Sequence, residues 1–150
     1  EVVMLENVRL KLNVRQYQLA AESADRALAQ DPKSPWWHYY RGEAYLRMAE
    51  DPAGAAREDA WINDKTYNDD LVAEYRNRKQ ALLASARQAY QASLGVDKGF
   101  AHAYRRLGLV AYAEGESKVA RESLTYYLTH AKDITDRPYI NNILGRLDSK

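Results

Sequence analysis

Two segments of the chain place a glycine at the same point of an aromatic, alanine-rich sequence. Residues 36–50 read WWHYYRGEAYLRMAE and residues 102–116 read HAYRRLGLVAYAEGE, so that Gly42 corresponds to Gly108, 66 residues later. A turn-forming segment precedes each of them, AQDPKSP at residues 29–35 and GVDKGFA at residues 95–101. Glycine costs about 1 kcal/mol of helix propensity relative to alanine. A glycine inside two similar helices therefore predicts a repeated helix contact that is too close for a side chain.

The composition favours helices along the whole chain. Only 4 Pro and 7 Gly occur among 150 residues, and no segment alternates between apolar and polar residues as a half-buried strand does. Residues 71–94 contain neither Gly nor Pro, which predicts one long helix there. We therefore predict an all-α domain with helices over residues 1–30 (with a break near 13–15), 35–49, 52–61, 68–96, 101–114, 117–130 and 136–147.

These segments resemble the tetratricopeptide repeat (TPR), a helix–turn–helix unit of about 34 residues. The last copy, residues 101–134, carries the signature residues Tyr104, Leu107, Gly108, Ala111, Gly115, Ala120 and Leu124. The first copy, about residues 1–34, matches mainly in its second helix, at Tyr17, Ala20, Ala24, Ala27, Asp31 and Pro32. The middle copy has Gly42 and Tyr45 in its first helix. The resemblance implies a TPR-like α-solenoid of antiparallel helical hairpins.

The spacing of 66 residues between the two glycines is about twice the length of one repeat. Either an insertion at about residues 51–83 interrupts a middle repeat that spans residues 35–98, or a degenerate repeat lies there. We favour the insertion, because no turn signal divides residues 71–94, and the long helix would then extend past the solenoid. A closing helix at residues 136–148 is predicted to cap the solenoid with Tyr139, Ile140, Ile143, Leu144 and Leu147.

The resemblance implies that the first helix of each repeat lines a concave groove. Neighbouring rings at residues 36, 37, 39 and 40 point around more than half of a helix, so not all of them fit into the core. Aromatic and arginine side chains are common in interface hot spots, and Arg105 with Arg106 could hold a carboxylate. The predicted partner-binding residues are Trp36, Tyr39, Glu43, Arg47, His102, Arg105, Leu109 and Tyr112.

No arrangement of residues in the sequence predicts catalysis, a cofactor or a metal ion. The chain has no Cys, and its three histidines form neither an HExxH motif nor an i, i+4 pair. A net charge of +1 gives no reason to expect nucleic-acid binding. No apolar run approaches the roughly 18 residues of a membrane span, so direct membrane insertion is not predicted. We expect a protein that is not an enzyme.

The predicted function is a protein–protein interaction scaffold that binds a peptide or partner protein in the groove. One alternative is an accessory segment that presents substrate within a larger bacterial envelope protein, such as a zinc peptidase. It rests on DRPYI at residues 136–140 and the helix after it, which are similar to the ends of bacterial envelope TPR proteins. This similarity favours a bacterial periplasm or envelope location over the cytoplasm. Another alternative is a homo-oligomerisation module, in which the long helix pairs with its copy.

Overall fold

The structure, a computed structural model, describes residues 2–149, with side chains from Met4 onward, and this part of the chain contains helices and no strand. The all-α prediction is confirmed. Within the described part, none of the helices combines the length and the apolar character that a bilayer span requires. The helices are α1 (Val2–Asn13), α2 (Tyr17–Gln30), α3 (Pro35–Glu50), α4 (Pro52–Ile62), α5 (Asp69–Asn77), α6 (Lys79–Val96), α7 (Ala101–Ala113), α8 (Ser117–His130) and α9 (Arg137–Asp148).

Seven of these helices pack in a row, each against the next, in the order α1, α2, α3, α6, α7, α8 and α9. The most extensive helix contact joins α3 to α6, which is not its neighbour in sequence. The two intervening helices, α4 and α5, pack on each other and on the sides of α2 and α3. A small apolar cluster of Ala56, Ala60 and Leu71 holds this α4–α5 pair together.

The two glycines of the repeated segments lie at the closest helix contacts, as predicted. A Cβ atom built on Gly42 would lie 2.7 Å from Cε1 of Tyr90, a fully buried ring of α6. A Cβ atom on Gly108 would lie 2.6 Å from Cδ2 of Leu124 in α8. Both distances are shorter than the van der Waals contact of two carbon atoms. The glycines therefore set how closely α3 approaches α6 and α7 approaches α8.

The prediction of one long helix over residues 68–96 is wrong. The segment is two helices separated at Arg78, whose backbone angles of φ −89° and ψ 3° lie outside the α-helical region. The amide of Arg78 donates to the carbonyls of Glu74 and Tyr75 at 3.2 and 3.1 Å, and its carbonyl accepts from Leu82 at the start of α6. The bend turns the chain from α4 back onto α3. Because α6 packs against α3 and α7, it does not extend past the row of helices.

The last helix, α9, packs on α8 and covers its apolar face at the end of the row, as predicted. Ile140, Ile143 and Leu147 are buried in the same apolar cluster as Leu124 of α8. Tyr139 was expected on this capping face, but 54% of its surface is exposed because it points toward α7 and the groove. Pro138 precedes it in the first turn of α9, where its missing N–H is tolerated.

Candidate functional site

The groove on the side of α1, α3 and α7 consists of two adjoining cavities. The first, of about 420 Å³, is the aromatic cavity. It is lined by Arg9, Leu12, Asn13, Trp36, Tyr39, Tyr40, Glu43, Arg47, His102 and Arg106. The second, of about 410 Å³, is the apolar cavity. It is lined by Leu46, Glu50, Lys79, Leu83, Arg105, Arg106, Leu109, Val110, Tyr112, Ala113 and Tyr139. Arg106 lines both cavities, so they adjoin at this side chain, and we call the two together the groove.

All eight of the residues predicted to bind a partner line this groove. Five lie in the aromatic cavity: Trp36, Tyr39, Glu43, Arg47 and His102. Three lie in the apolar cavity: Arg105, Leu109 and Tyr112. The structure therefore brings these side chains together on one surface. Their role in binding stays a prediction.

Sequence reasoning missed the contribution of α1, which supplies Arg9 and Asn13. Aligning the first and last repeats through their second helices could have identified these residues. When Ala20 is matched with Ala120, Arg9 corresponds to Leu109 of the predicted groove wall. This signal is indirect, because α1 itself carries few of the signature residues. The half-buried ring of Tyr40, which is not among the predicted partner-binding residues, also lines the aromatic cavity.

The rings of the aromatic cavity hold one another in place. Trp36 stacks on Tyr40 with ring centroids 5.9 Å apart, and its other neighbours are Phe100 at 4.8 Å and His102 at 5.3 Å. Tyr39 packs edge-on against Phe100 at 5.7 Å. Because each ring contacts several others, little side-chain freedom is left to lose when a ligand binds.

A buried carboxylate organises the charges beneath the groove. Glu43 is only 3% exposed and accepts a hydrogen bond of 2.6 Å from the Tyr90 hydroxyl. Its Oε1 atom also lies 2.8 Å from Nε of Arg106, and Arg47 is a more distant neighbour at 3.9 Å. The sequence placed Glu43 on the groove wall as a contact for the partner. Since the side chain is buried, Glu43 instead fixes the two arginines that face the groove.

The ionisation of the groove side chains follows from this burial. Burial, and then the charge of Glu43, raises the pKa of Tyr39 to about 12. The same two causes raise the pKa of Tyr90 well above its ordinary value. Burial, and then the positive charge of Arg105, lowers the pKa of His102. At neutral pH the tyrosines and His102 are therefore uncharged, and the groove has more cationic than anionic groups.

Arg105 is already paired within the chain. Its Nε donates to Asp136 over 2.5 Å, and the hydroxyl of Tyr127 donates to the other oxygen of the same carboxylate over 3.0 Å. This arrangement fastens the start of α9 to α7 and α8. The hypothesis that Arg105 and Arg106 together hold a partner's carboxylate therefore needs correction, because each has an internal carboxylate partner.

The more available cations of the groove are Arg9 and Arg47. Arg9 pairs with Glu6 over 2.6 Å, but both side chains are more than half exposed, so solvent screens the pair. Arg47 lies 3.9 Å from Glu43, which is a longer contact than that of Arg106 with the same carboxylate. An incoming carboxylate would therefore compete at Arg9 with an exposed ion pair only, and at Arg47 with a long contact of 3.9 Å.

Among the described residues, no group of three or more His, Cys, Asp or Glu side chains is arranged to hold a metal ion. Two acidic residues of α4, Glu58 and Asp59, have structural partners instead. Glu58 accepts from the backbone amides of Gln18 and Leu19 at the start of α2. Asp59 accepts from Asn63, Lys65 and Tyr75, over 2.6, 3.2 and 3.0 Å.

The fold is that of a TPR protein. Over 96% of its length the chain matches the crystal structure of a thermophilic TPR protein from Thermus thermophilus, with a TM-score of 0.65 and 21% sequence identity. The chain spans 61% of the length of that protein. No protein-family model and no curated protein sequence matches the chain.

Proposed function

We propose that the chain is a protein–protein interaction scaffold that binds an extended segment of a partner protein in its concave groove. The observation that carries this proposal is the pair of adjoining cavities, one aromatic and one apolar, that meet at Arg106. Helices α1, α3, α6, α7 and α9 contribute to the groove, and aromatic and arginine side chains of the hot-spot type line it. Helical repeat proteins use extended concave surfaces of this kind for binding.

The chemistry of the groove favours a partner segment that carries both acidic and apolar residues. Arg9, Arg47 and Arg106 surround the aromatic cavity, whose one carboxylate, Glu43, is buried. Leu46, Leu109 and Tyr112 line the adjoining cavity and offer apolar surface. An acidic residue of the partner would lie near the arginines, and an apolar residue would fill the second cavity.

The middle of the chain is proposed to be a single repeat with an insertion. The close pairing of α3 with α6 supports this division, because α4 and α5 lie between them in sequence and pack to one side. The insertion would cover residues 51–78, since α6 begins at Lys79. The location in a bacterial periplasm or envelope, and a role beside a larger envelope protein such as a zinc peptidase, stay predictions.

Self-assembly through the α5–α6 segment has less support. Leu71, Leu82 and Leu83 were the apolar residues expected to pair with a second chain. Each of them is at most 5% exposed, because it is buried inside its own chain. A homo-oligomer would therefore need another surface.

A pair of matched double variants tests the groove. Arg47→Gln with Tyr112→Ala changes the groove at two half-exposed side chains. Arg26→Gln with Tyr126→Ala makes the same chemical changes on residues that line neither cavity. Partners captured from the source cells by the wild-type chain would be purified and titrated against both variants by calorimetry.

We expect the groove variant to bind at least about tenfold more weakly and the control variant to bind as the wild type does. Equal affinity of both double variants for every captured partner would contradict the groove as the binding site. A control variant weakened as much as the groove variant would also contradict the groove as the binding site.

A further inference from the structure

A second depression, of about 310 Å³, lies outside the groove, where the turn between α1 and α2 meets α4. Its lining includes Val14, Arg15, Gln16, Arg57, Glu58 and Trp61, and we call it the Trp61 surface. No residue of this surface lines the groove. α4 belongs to the segment that separates α3 from α6, so this surface exists only because of the insert.

Two large apolar side chains of the Trp61 surface are open to solvent. Trp61 is 69% exposed and Val14 is 62% exposed, and both line the depression. Exposing an indole ring is costly, since burying an aromatic side chain removes a large apolar area from water. Tryptophan is also the residue type most enriched in binding hot spots, together with tyrosine and arginine.

The two walls of the depression are held rigidly. The carboxylate of Glu58 in α4 accepts from the amides of Gln18 and Leu19 over 2.6 and 3.1 Å, which fastens α4 to the start of α2. The turn on the other wall is closed by a 2.8 Å bond from the Gln16 amide to the Lys11 carbonyl. A preformed site of this kind loses little conformational entropy on binding.

The charges available at the rim are positive. Arg15 keeps 65% of its side chain exposed and has an acidic neighbour, Asp51, only at 3.8 Å. Arg57 is exposed, and its guanidinium lies 4.8 Å from the ring centroid of Tyr67. Glu58 is the one carboxylate in the lining, and it is 6% exposed and bonded to backbone amides. A ligand therefore meets two guanidinium groups and no open carboxylate.

We infer that the Trp61 surface is a second docking site, which takes an acidic segment of a partner protein that presents one large apolar side chain. The apolar side chain packs between Trp61 and Val14, and the flanking carboxylates pair with Arg15 and Arg57. Because this site and the groove are separate, one partner segment can occupy each of them at the same time.

Phage-displayed random octapeptides, panned against the full chain, provide the probe. Three proteins are compared: the wild type, a Val14→Ser/Trp61→Ser variant and the groove variant Arg47→Gln/Tyr112→Ala. Selected peptides are synthesised with a fluorescent label, and their affinities are measured by anisotropy at 50 and 200 mM NaCl. Thermal unfolding of all three proteins serves as the folding control, and Trp61→Phe tests for rescue by another large ring.

The expected result is a class of peptides that the groove variant retains and the Val14→Ser/Trp61→Ser variant binds at least about tenfold more weakly. Their shared sequence is Asp or Glu beside Phe, Trp or Leu, their affinity falls several-fold at the higher salt concentration, and Trp61→Phe restores much of it. The inference is overturned if no such class is found, or if its members are basic or uncharged. It is also overturned if sedimentation shows a dimer of the wild type that Trp61→Ser dissociates, since a second copy then covers the surface.

Discussion

At the residue scale, a glycine and a large side chain form the contact that repeats along this chain. Gly42 receives the ring of Tyr90, and Gly108 receives the side chain of Leu124. Both large residues are fully buried, so neither can move aside without disturbing the core. Glycine lowers the helix propensity, and the close packing that it permits offsets this cost. The net effect on the free energy of unfolding can be measured.

Replacing Gly42 or Gly108 by Ala should destabilise the chain by about 1–3 kcal/mol, because the added methyl group overlaps a fixed neighbour. The measurement is urea unfolding followed by circular dichroism. Gly145→Ala is the matched control, since no atom lies within 4 Å of the position that its Cβ would take in α9. It should stabilise the chain by about 0.5–1 kcal/mol. A Gly42→Ala variant as stable as the wild type would show that the contact is not close.

In the first and the last repeat, the turn between the two helices contains a residue with a positive φ angle. The residue type differs between the two turns. Gly115 has a positive φ of 80°, and Arg15, at the corresponding place in the first repeat, has a φ of 63°. A non-glycine residue in this left-handed region costs roughly 1–2 kcal/mol. The first repeat therefore keeps a strained arginine where the last repeat has a glycine.

Arg15→Gly should stabilise the chain by about 1 kcal/mol, because glycine adopts this conformation without steric cost. The gain is expected in the free energy of unfolding by urea. The ion pair that is lost, with Asp51 at 3.8 Å, is exposed and weak. A loss of stability on this substitution would mean that Arg15 contributes more through its contacts than its backbone strain removes.

At the scale of the helices, α9 is held by a polar contact as well as by its apolar face. Asp136 accepts from Arg105 and from Tyr127, so that three helices meet at one carboxylate. Burial alone would raise the pKa of Asp136. The bonds from Arg105 and Tyr127 outweigh it, and the pKa lies below the ordinary 3.8. A carboxylate with a lowered pKa contributes stability above its ordinary pKa and loses it as the pH falls through the lower value.

Asp136→Asn should therefore cost about 1–2 kcal/mol at pH 7, because two hydrogen bonds to a charged group are weakened. The difference from the wild type should shrink as the pH falls below 3.8. Asp148→Asn is the control, since Asp148 also pairs with an arginine but its side chain is 70% exposed. It should change stability by less than about 1 kcal/mol at any pH. A pH-independent effect of Asp136→Asn would contradict the role of its charge.

The break at Arg78 could not be predicted from the helix propensity of the surrounding sequence. Nothing between residues 71 and 94 is a helix breaker, and the local preference for helix is strong on both sides. The break is set by two separate packing surfaces, the face of α5 that covers α4 and the face of α6 that covers α3. The break buries Leu71 against α4 and Leu82 and Leu83 in the main core, at the cost of one residue outside the helical conformation.

At the scale of the whole molecule, one buried carboxylate connects three helices beneath the groove. Glu43 of α3 joins Tyr90 of α6 and Arg106 of α7. Breaking a buried ion pair by removing one partner leaves an uncompensated charge, which costs more than removing both partners. The network should therefore couple the middle of the row to its C-terminal end.

Glu43→Gln should destabilise the chain by about 2–3 kcal/mol, and adding Arg106→Met should recover part of that loss. A double-mutant cycle by urea unfolding should give a coupling energy of about 1–3 kcal/mol. The exposed pair of Arg9 and Glu6, 2.6 Å apart, is the control and should give less than about 1 kcal/mol. Strict additivity of Glu43→Gln and Arg106→Met would show that the pair does not act as a unit.

The sequence by itself determined the helical class, the repeated glycine contact and most of the α3 and α7 side chains that line the groove. These features depend on helical periodicity and on residues that recur at fixed spacing, and both are local properties of the chain. Tertiary structure alone decided that α3 pairs with α6, that the chain bends at Arg78, and that Glu43 lies under the groove with Arg106. These follow from contacts between residues distant in sequence, in which burial and charge pairing outweigh the local preference of each segment.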